Sequence, residues 1–92
     1  MKPDEAVLYA NRSAARLQLN MADAALEDAD KAIALDASYS KAFYRKGQAH
    51  NARKEFDAAV AAFEKGLQLD PSNKTFADMA AKAKAAAAKV RT

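Results

Sequence analysis

The sequence has no cysteine and no tryptophan, and only two glycines, two prolines and one histidine. Without cysteine it forms no disulfide and offers neither a thiolate nucleophile nor a Cys-ligated metal site. A reduced, cytoplasmic compartment fits that absence. The lone His50 has no second imidazole to share a metal or a proton relay, so it reads as a structural histidine. No window approaches the roughly 18 consecutive apolar residues of a membrane span. The opening "MKPDEAVLYA" has no continuous apolar stretch of the kind that marks a signal peptide. Glycine-rich phosphate loops and zinc spacings are missing. The net charge of +3 is mild and gives no clustered basic footprint for nucleic acid. These gaps leave no expected cofactor or catalytic residue, and neither membrane nor nucleic acid as a partner.

What remains is a helix-former's inventory. The 92 residues suffice for one small domain, and they are rich in Ala, Lys, Leu, Glu and Asp. An all-α fold follows. Sliding the chain against itself by 34 residues superposes "DAALEDADKAIALDAS" on "DAAVAAFEKGLQLDPS". Leu26 then meets Val60, Ile33 meets Leu67, Tyr9 meets Phe43, and Ser13 meets Gly47. Aromatic falls on aromatic and small falls on small, well beyond what two alanine-rich helices share by chance.

Each copy reads as two helices. Pro3 suits an opening turn, where its missing N–H costs nothing, and Asp4 and Glu5 lie at the positive end of that helix. Leu8, Ala15 and Leu19 mark one apolar stripe, and Asn20 breaks the helix. The second helix runs from about residue 22 to residue 35, with Ala25, Leu26, Ala29, Ala32 and Ile33 on one face. Ser38 is expected to cap a third helix reaching about Arg53. Lys54 and Glu55 turn the chain into a fourth helix from Phe56 to Leu69, with Val60, Phe63 and Leu67 inward. Pro71 pushes Asp70 out of helical geometry and ends it. A fifth helix follows Asn73, with Phe76, Met79, Ala80 and Ala83 on one side. Met21 and Phe56 are assigned to helix packing.

Counted from Ala6 and again from Ser40, each unit resembles a tetratricopeptide repeat. The family's fourth position holds a large residue, here Tyr9 and Phe43, and its eighth a small one, here Ser13 and Gly47. Ala25 and Ala59 stand at the twentieth position, Ala32 and Gly66 at the twenty-seventh. Pro71 fills the closing proline position in the second unit, where the first has Ala37. Phe63 fills the aromatic position of the second helix, where the first unit has Ala29. Small residues are needed because two helices cross closely only where side chains are short. The resemblance implies a right-handed stack of two helical-hairpin repeats, 6–39 and 40–73, sealed by a capping helix over 74–90.

Within that family, "YANRSAA" and "SKAFYRKGQA" resemble the co-chaperones that grip the C-terminal Glu-Glu-Val-Asp of the seventy- and ninety-kilodalton heat-shock chaperones. The resemblance assigns a carboxylate clamp to Asn11, Lys41 and Arg45. Lys41 lies thirty residues after Asn11, and Arg45 lies one helical turn further on. Two like charges at that spacing weaken a helix by roughly 0.2–0.5 kcal/mol. A bound dianion relieves the repulsion, because a lysine ammonium and an arginine fork both match carboxylates. Tyr44, Gln48 and Asn51 share the face of Lys41 and are candidate groove contacts. Arg12 and Lys46, at equivalent places, read as packing and solubility residues. Asp23, Glu27, Asp28 and Asp30 read as an acidic run on an exposed second helix. Lys82, Lys84 and Lys89 suit a solvated helix.

The resembling clamps draw two further residues from a preceding unit, and Lys2 precedes the helix. The chain therefore reads as the last two units and sealing helix of a three-unit domain, with three of five clamp residues. An apolar side built from Val7, Leu8 and Leu26 is expected to be uncovered, which favours self-association as a homo-oligomer. Two other roles stay open. One is a structural, self-associating fragment with no retained ligand; the other is a module attached to an enzyme domain.

Overall fold

The computed structural model describes residues 3–91, with side-chain surroundings for 5–89. Lys2 and the Asp4 side chain lie outside the described part. Five helices follow one another: α1 (Pro3–Gln18), α2 (Ala22–Leu35), α3 (Ser40–Ala52), α4 (Phe56–Leu69) and α5 (Lys74–Arg91). Each packs on the next, and α1 also touches α3. The result is a stack of two helical hairpins closed by α5.

The two hairpins turn identically. Asn20 and Lys54, 34 residues apart, both adopt left-handed backbone with φ of 60° and 61°. Behind each, the next amide reaches back across the turn, Met21 N to Arg16 O at 2.8 Å and Glu55 N to His50 O at 2.9 Å. This six-to-one hydrogen bond satisfies a carbonyl that the helix end would otherwise strand. Asparagine tolerates the left-handed region through its short polar side chain, whereas lysine there carries a cost. The connections between hairpins also match, with Asp36 N bonded to Ala32 O and Asp70 N to Gly66 O, each at 2.9 Å.

Helix starts differ from the sequence expectation at one point. Ser38 does not cap α3. Its N and Oγ both donate to Asp36 Oδ1, at 3.1 and 2.7 Å, two residues before the helix. The N-cap position falls to Tyr39, which makes no side-chain cap bond. The equivalent Asn73 does cap α5, accepting from Thr75 N at 2.9 Å and Phe76 N at 3.4 Å through Oδ1.

The core is built from alanine stripes and a few rings. Ala25, Ala29 and Ala32 of α2 are fully buried, as are Ala59 and Phe63 of α4. A Cβ added at Gly47 would overlap the Phe63 ring, and one at Gly66 would overlap the Phe76 ring. Those glycines therefore set how closely α3 meets α4 and α4 meets α5. In the first hairpin the register equivalents are Ser13 with Ala29 and Ala32 with Ala42. Both are pairs of small residues in place of a glycine and a ring, so similar helix separations are filled in two ways. Ser13 also donates its hydroxyl to Ala25 O at 2.8 Å within the buried layer.

Val7 and Leu8 are exposed, as expected of an uncovered side, while α1 turns Ala6, Ala10 and Ser13 inward. Three other sequence expectations need correction. Met21, assigned to helix packing, is exposed, and Leu26, expected on the uncovered side, is half-buried. Asp28 is not a solvated face residue but lies 1% exposed beneath two arginines. Arg12 grips it with both arms of its fork, Nε to Oδ2 at 2.9 Å and Nη2 to Oδ1 at 2.8 Å. Arg16 Nη1 adds a contact to Oδ2 at 3.0 Å. The hydrogen bond from Arg12 holds the Asp28 carboxyl below its ordinary range, against the opposing push of burial. On the other side of α2, Lys46 reaches Asp30 at 2.9 Å and Arg53 reaches Asp23 at 3.4 Å. The acidic run of α2 thus fastens it to both neighbours.

Candidate functional site

Lys41 and Arg45 open on one cleft of about 280 Å³, lined also by Ser40, Tyr44, Asp70, Asn73, Thr75 and Phe76. Its floor is aromatic. The Tyr44 ring meets Phe76 edge-on, with centroids 5.7 Å apart and an interplanar angle of 87°, and tilts against the buried Phe63 at 6.1 Å. This packing fixes Tyr44, and Tyr44 in turn positions Arg45, whose guanidinium carbon sits 5.2 Å from the ring centroid. Nη1 of Arg45 donates to Gln48 Oε1 at 2.9 Å. The Arg45 Nε is buried and has no hydrogen-bond partner. Among the described residues neither Lys41 nor Arg45 has an acidic ion-pair partner, although most other arginines do. Asp70, on the far wall, accepts from Asn73 Nδ2 at 3.1 Å.

The candidate residues divide. Lys41, Arg45 and Tyr44 line this cleft. Gln48 supports Arg45 from one turn further along α3 and is not part of the lining. Asn51 is half-buried with an unpartnered Oδ1 and also lies outside it. Asn11 is exposed on α1 and does not line the cleft. It stands 34 residues before Arg45, however, so the repeat register gives it the same rotational position on α1 that Arg45 holds on α3. Arg12 and Lys46 are committed to Asp28 and Asp30 and serve packing. His50 Nδ1 lies 2.9 Å from Glu55 Oε1, a structural tie across the α3–α4 turn.

The sequence reading missed the far wall. Thr75 and Phe76 stand 34 residues after Lys41 and Ala42, so extending the repeat register once more would have placed α5 beside α3. Phe76, Ala80, Ala83 and Ala87 are the buried face of α5, in the register by which α3 packs on α2. Two cations, the Ser40 and Thr75 hydroxyls and an aromatic floor, with Asp70 on the far wall, suit a short anionic chain with an apolar neighbour. The described side chains form no group of three or more potential metal ligands, and no helix is long and apolar enough to cross a membrane.

Comparison with known proteins agrees with this architecture. The tetratricopeptide repeat family model matches residues 40–73. An Hsp70-Hsp90 organizing protein of Triticum aestivum is 43% identical over 88 residues, covering 96% of this chain and 15% of that relative. The chain thus spans about a seventh of the length of such curated relatives. The second TPR domain of human RPAP3, solved in complex with the HSP70 peptide SGPTIEEVD, superposes with a TM-score of 0.83 at 40% identity, over 87% of this chain and 67% of that one. The first TPR of Spaghetti, bound to the HSP90 peptide SRMEEVD, gives a TM-score of 0.88 at 33% identity, over 95% and 69%.

Proposed function

This chain belongs to the tetratricopeptide repeat family, and on that premise we propose that it is a non-catalytic interaction module for the acidic C-terminal tails of heat-shock chaperones of the seventy- and ninety-kilodalton classes. Lys41 and Arg45 hold the terminal and side-chain carboxylates of the last residue, and Asn11 adds an uncharged donor from α1. Tyr44 and Phe76 support the apolar residue beside them. A cytoplasmic setting suits such partners.

One observation carries the reading. Arg45, held by Tyr44 and Gln48, lines an open cleft beside Lys41, and among the described residues neither cation has an acidic ion-pair partner. A carboxylate is the acceptor that fits two such cations best. The two peptide-bound neighbours, at 40% and 33% identity, add support from proteins whose bound peptides end in Glu-Glu-Val-Asp.

Titration with SGPTIEEVD, as free acid and as C-terminal amide, tests the proposal. The free acid should bind with a Kd in the micromolar range, about −7 to −8 kcal/mol. Amidation removes a charge-assisted contact worth roughly 1.5–3 kcal/mol, so it should weaken binding at least about tenfold. Equal affinity for both forms would contradict a carboxylate clamp.

A further inference from the structure

We infer that Asp70 is a specificity-determining residue of the cleft: its carboxylate repels the second negative charge of a dianionic C-terminus, so that tails ending on a single carboxylate are also ligands. This rests on the carboxylate-binding function proposed above. Asp70 is half-buried and lines the same space of about 280 Å³ as Lys41 and Arg45. Among the described residues it forms an ion pair with neither cation. A carboxylate in the wall opposes the ligand that the two cations attract.

The chain fixes Asp70 on that wall. Asn73 Nδ2 donates to Asp70 Oδ2 at 3.1 Å, and Asn73 N donates to Asp70 O, also at 3.1 Å. Asn73 is held in turn, because its Oδ1 accepts from Thr75 N and Phe76 N at the start of α5. The carboxylate is therefore anchored beside α5 instead of bridging to α3. A turn role by itself accounts for an aspartate here, as Asp36 shows in the first hairpin, where Oδ1 accepts from Ser38 N and Oγ. The surroundings are what differ. Thirty-four residues before Lys41 and Arg45 stand Val7 and Asn11, both uncharged. In the second copy the same turn carboxylate shares a cleft with two cations.

The charge balance of the cleft gives the consequence. Lys41 and Arg45 bring two positive charges and Asp70 one negative, which leaves a single uncompensated positive charge. A C-terminal aspartate brings two carboxylates, so the cleft matches the first and not the second. In so small a space the repulsion is felt, because physiological salt screens charges only over roughly 8 Å. A like charge in the wall lowers affinity for the more charged ligand and narrows its advantage over the less charged one. The Ser40 and Thr75 hydroxyls on the same lining can hydrogen-bond a neutral polar side chain in place of the second carboxylate.

Calorimetric titration at pH 7 with three peptides tests the inference: SGPTIEEVD as free acid, its C-terminal amide, and SGPTIEEVN. The last two each lack one of the two carboxylates of the final residue. Asp70→Asn keeps an oxygen to accept from Asn73 and removes the charge, so helical circular dichroism should not change. It should tighten the free acid by at least about threefold, and each single-carboxylate peptide by less, so that preference for the dianionic end grows. Asp70→Ser also removes the charge and should rank the three peptides the same way. Asp36→Asn alters the matching turn away from the cations and should leave all three affinities as in the parent. Unchanged or weaker binding of the free acid to Asp70→Asn overturns the inference. So does an equal gain for all three peptides, which a purely structural effect would give, or the same shift in Asp36→Asn. A free acid that binds neither the parent nor Asp70→Asn defeats the proposed function and this inference with it; binding without the gain defeats only the role of Asp70.

Discussion

Asp28→Asn keeps the size of a buried side chain and removes the charge that two arginines hold. The carboxylate accepts from Arg12 at 2.9 and 2.8 Å and from Arg16 at 3.0 Å while remaining 1% exposed. Breaking a fully buried ion pair costs roughly 3–5 kcal/mol, mostly because the surviving charge is stranded. Here the survivors are not stranded. The Arg12 side chain is 49% exposed and can turn to water, so solvent screening discounts that figure. What disappears is a set of charge-assisted bonds at the carboxylate, for an expected loss of about 2 kcal/mol. In a domain of this size that lowers Tm by about 8–16 °C. The same residue sets an acid limb. Its folded-state carboxyl titrates below the ordinary range, chiefly through the Arg12 hydrogen bond. Between the two values the unfolded chain binds the proton and the folded chain does not. The contribution is therefore complete above about pH 4, the unfolded aspartate range, and is lost as pH falls through the lower folded value. Urea unfolding followed by circular dichroism, at pH 7 and in steps below pH 4, measures both effects. A variant within about 0.5 kcal/mol of the parent at pH 7 would refute the ion-pair argument. So would an acid limb as steep in Asp28→Asn as in the parent.

Gly47→Ala should cost about 1–3 kcal/mol in chemical denaturation, because the new methyl meets the Phe63 ring. The penalty should shrink in a Phe63→Leu background, as the small-with-small pairing of Ser13 and Ala29 implies. Asn73→Ala removes the α5 cap and should cost about 1 kcal/mol, with amide exchange rising first in the opening turn of α5. Lys54→Gly should stabilise the chain by about 0.5–1 kcal/mol, since φ there is 61° and glycine adopts it without strain.

Much of this architecture is legible because helices announce their faces by period and their ends by composition. Asn20 and Lys54 were read as turns, and both carry the left-handed backbone that closes a hairpin. Gly47 and Gly66 were read as close-approach positions, and each lies against an aromatic ring. The failures have one physical origin. Periodicity marks an apolar stripe but does not say whether anything covers it. Leu8, Ala15 and Leu19 stand out as the apolar stripe of α1, although the face that α1 buries is the subtler Ala6–Ala10–Ser13 set. Asp28 read as a surface charge because its partner, Arg12, is 16 residues away and meets it only once the hairpin closes. Ser38 read as a cap because its residue type competes for that role, but Asp36 captures it first. At the cleft, Lys41 and Arg45 were legible from type and spacing. The wall supplied by Asp70, Asn73 and Thr75 was not, because it depends on α5 docking in the register of a third hairpin's first helix.

The most direct test of the central claim is a map of backbone amide shifts by NMR as SGPTIEEVD is added to the chain. The account predicts saturable shifts at Lys41, Tyr44 and Arg45, at Thr75 and Phe76 across the cleft, and at Asn11 one repeat upstream, with α2 and α4 largely unmoved. Shifts concentrated on α2 and α4, or none at peptide concentrations well above micromolar, would contradict it.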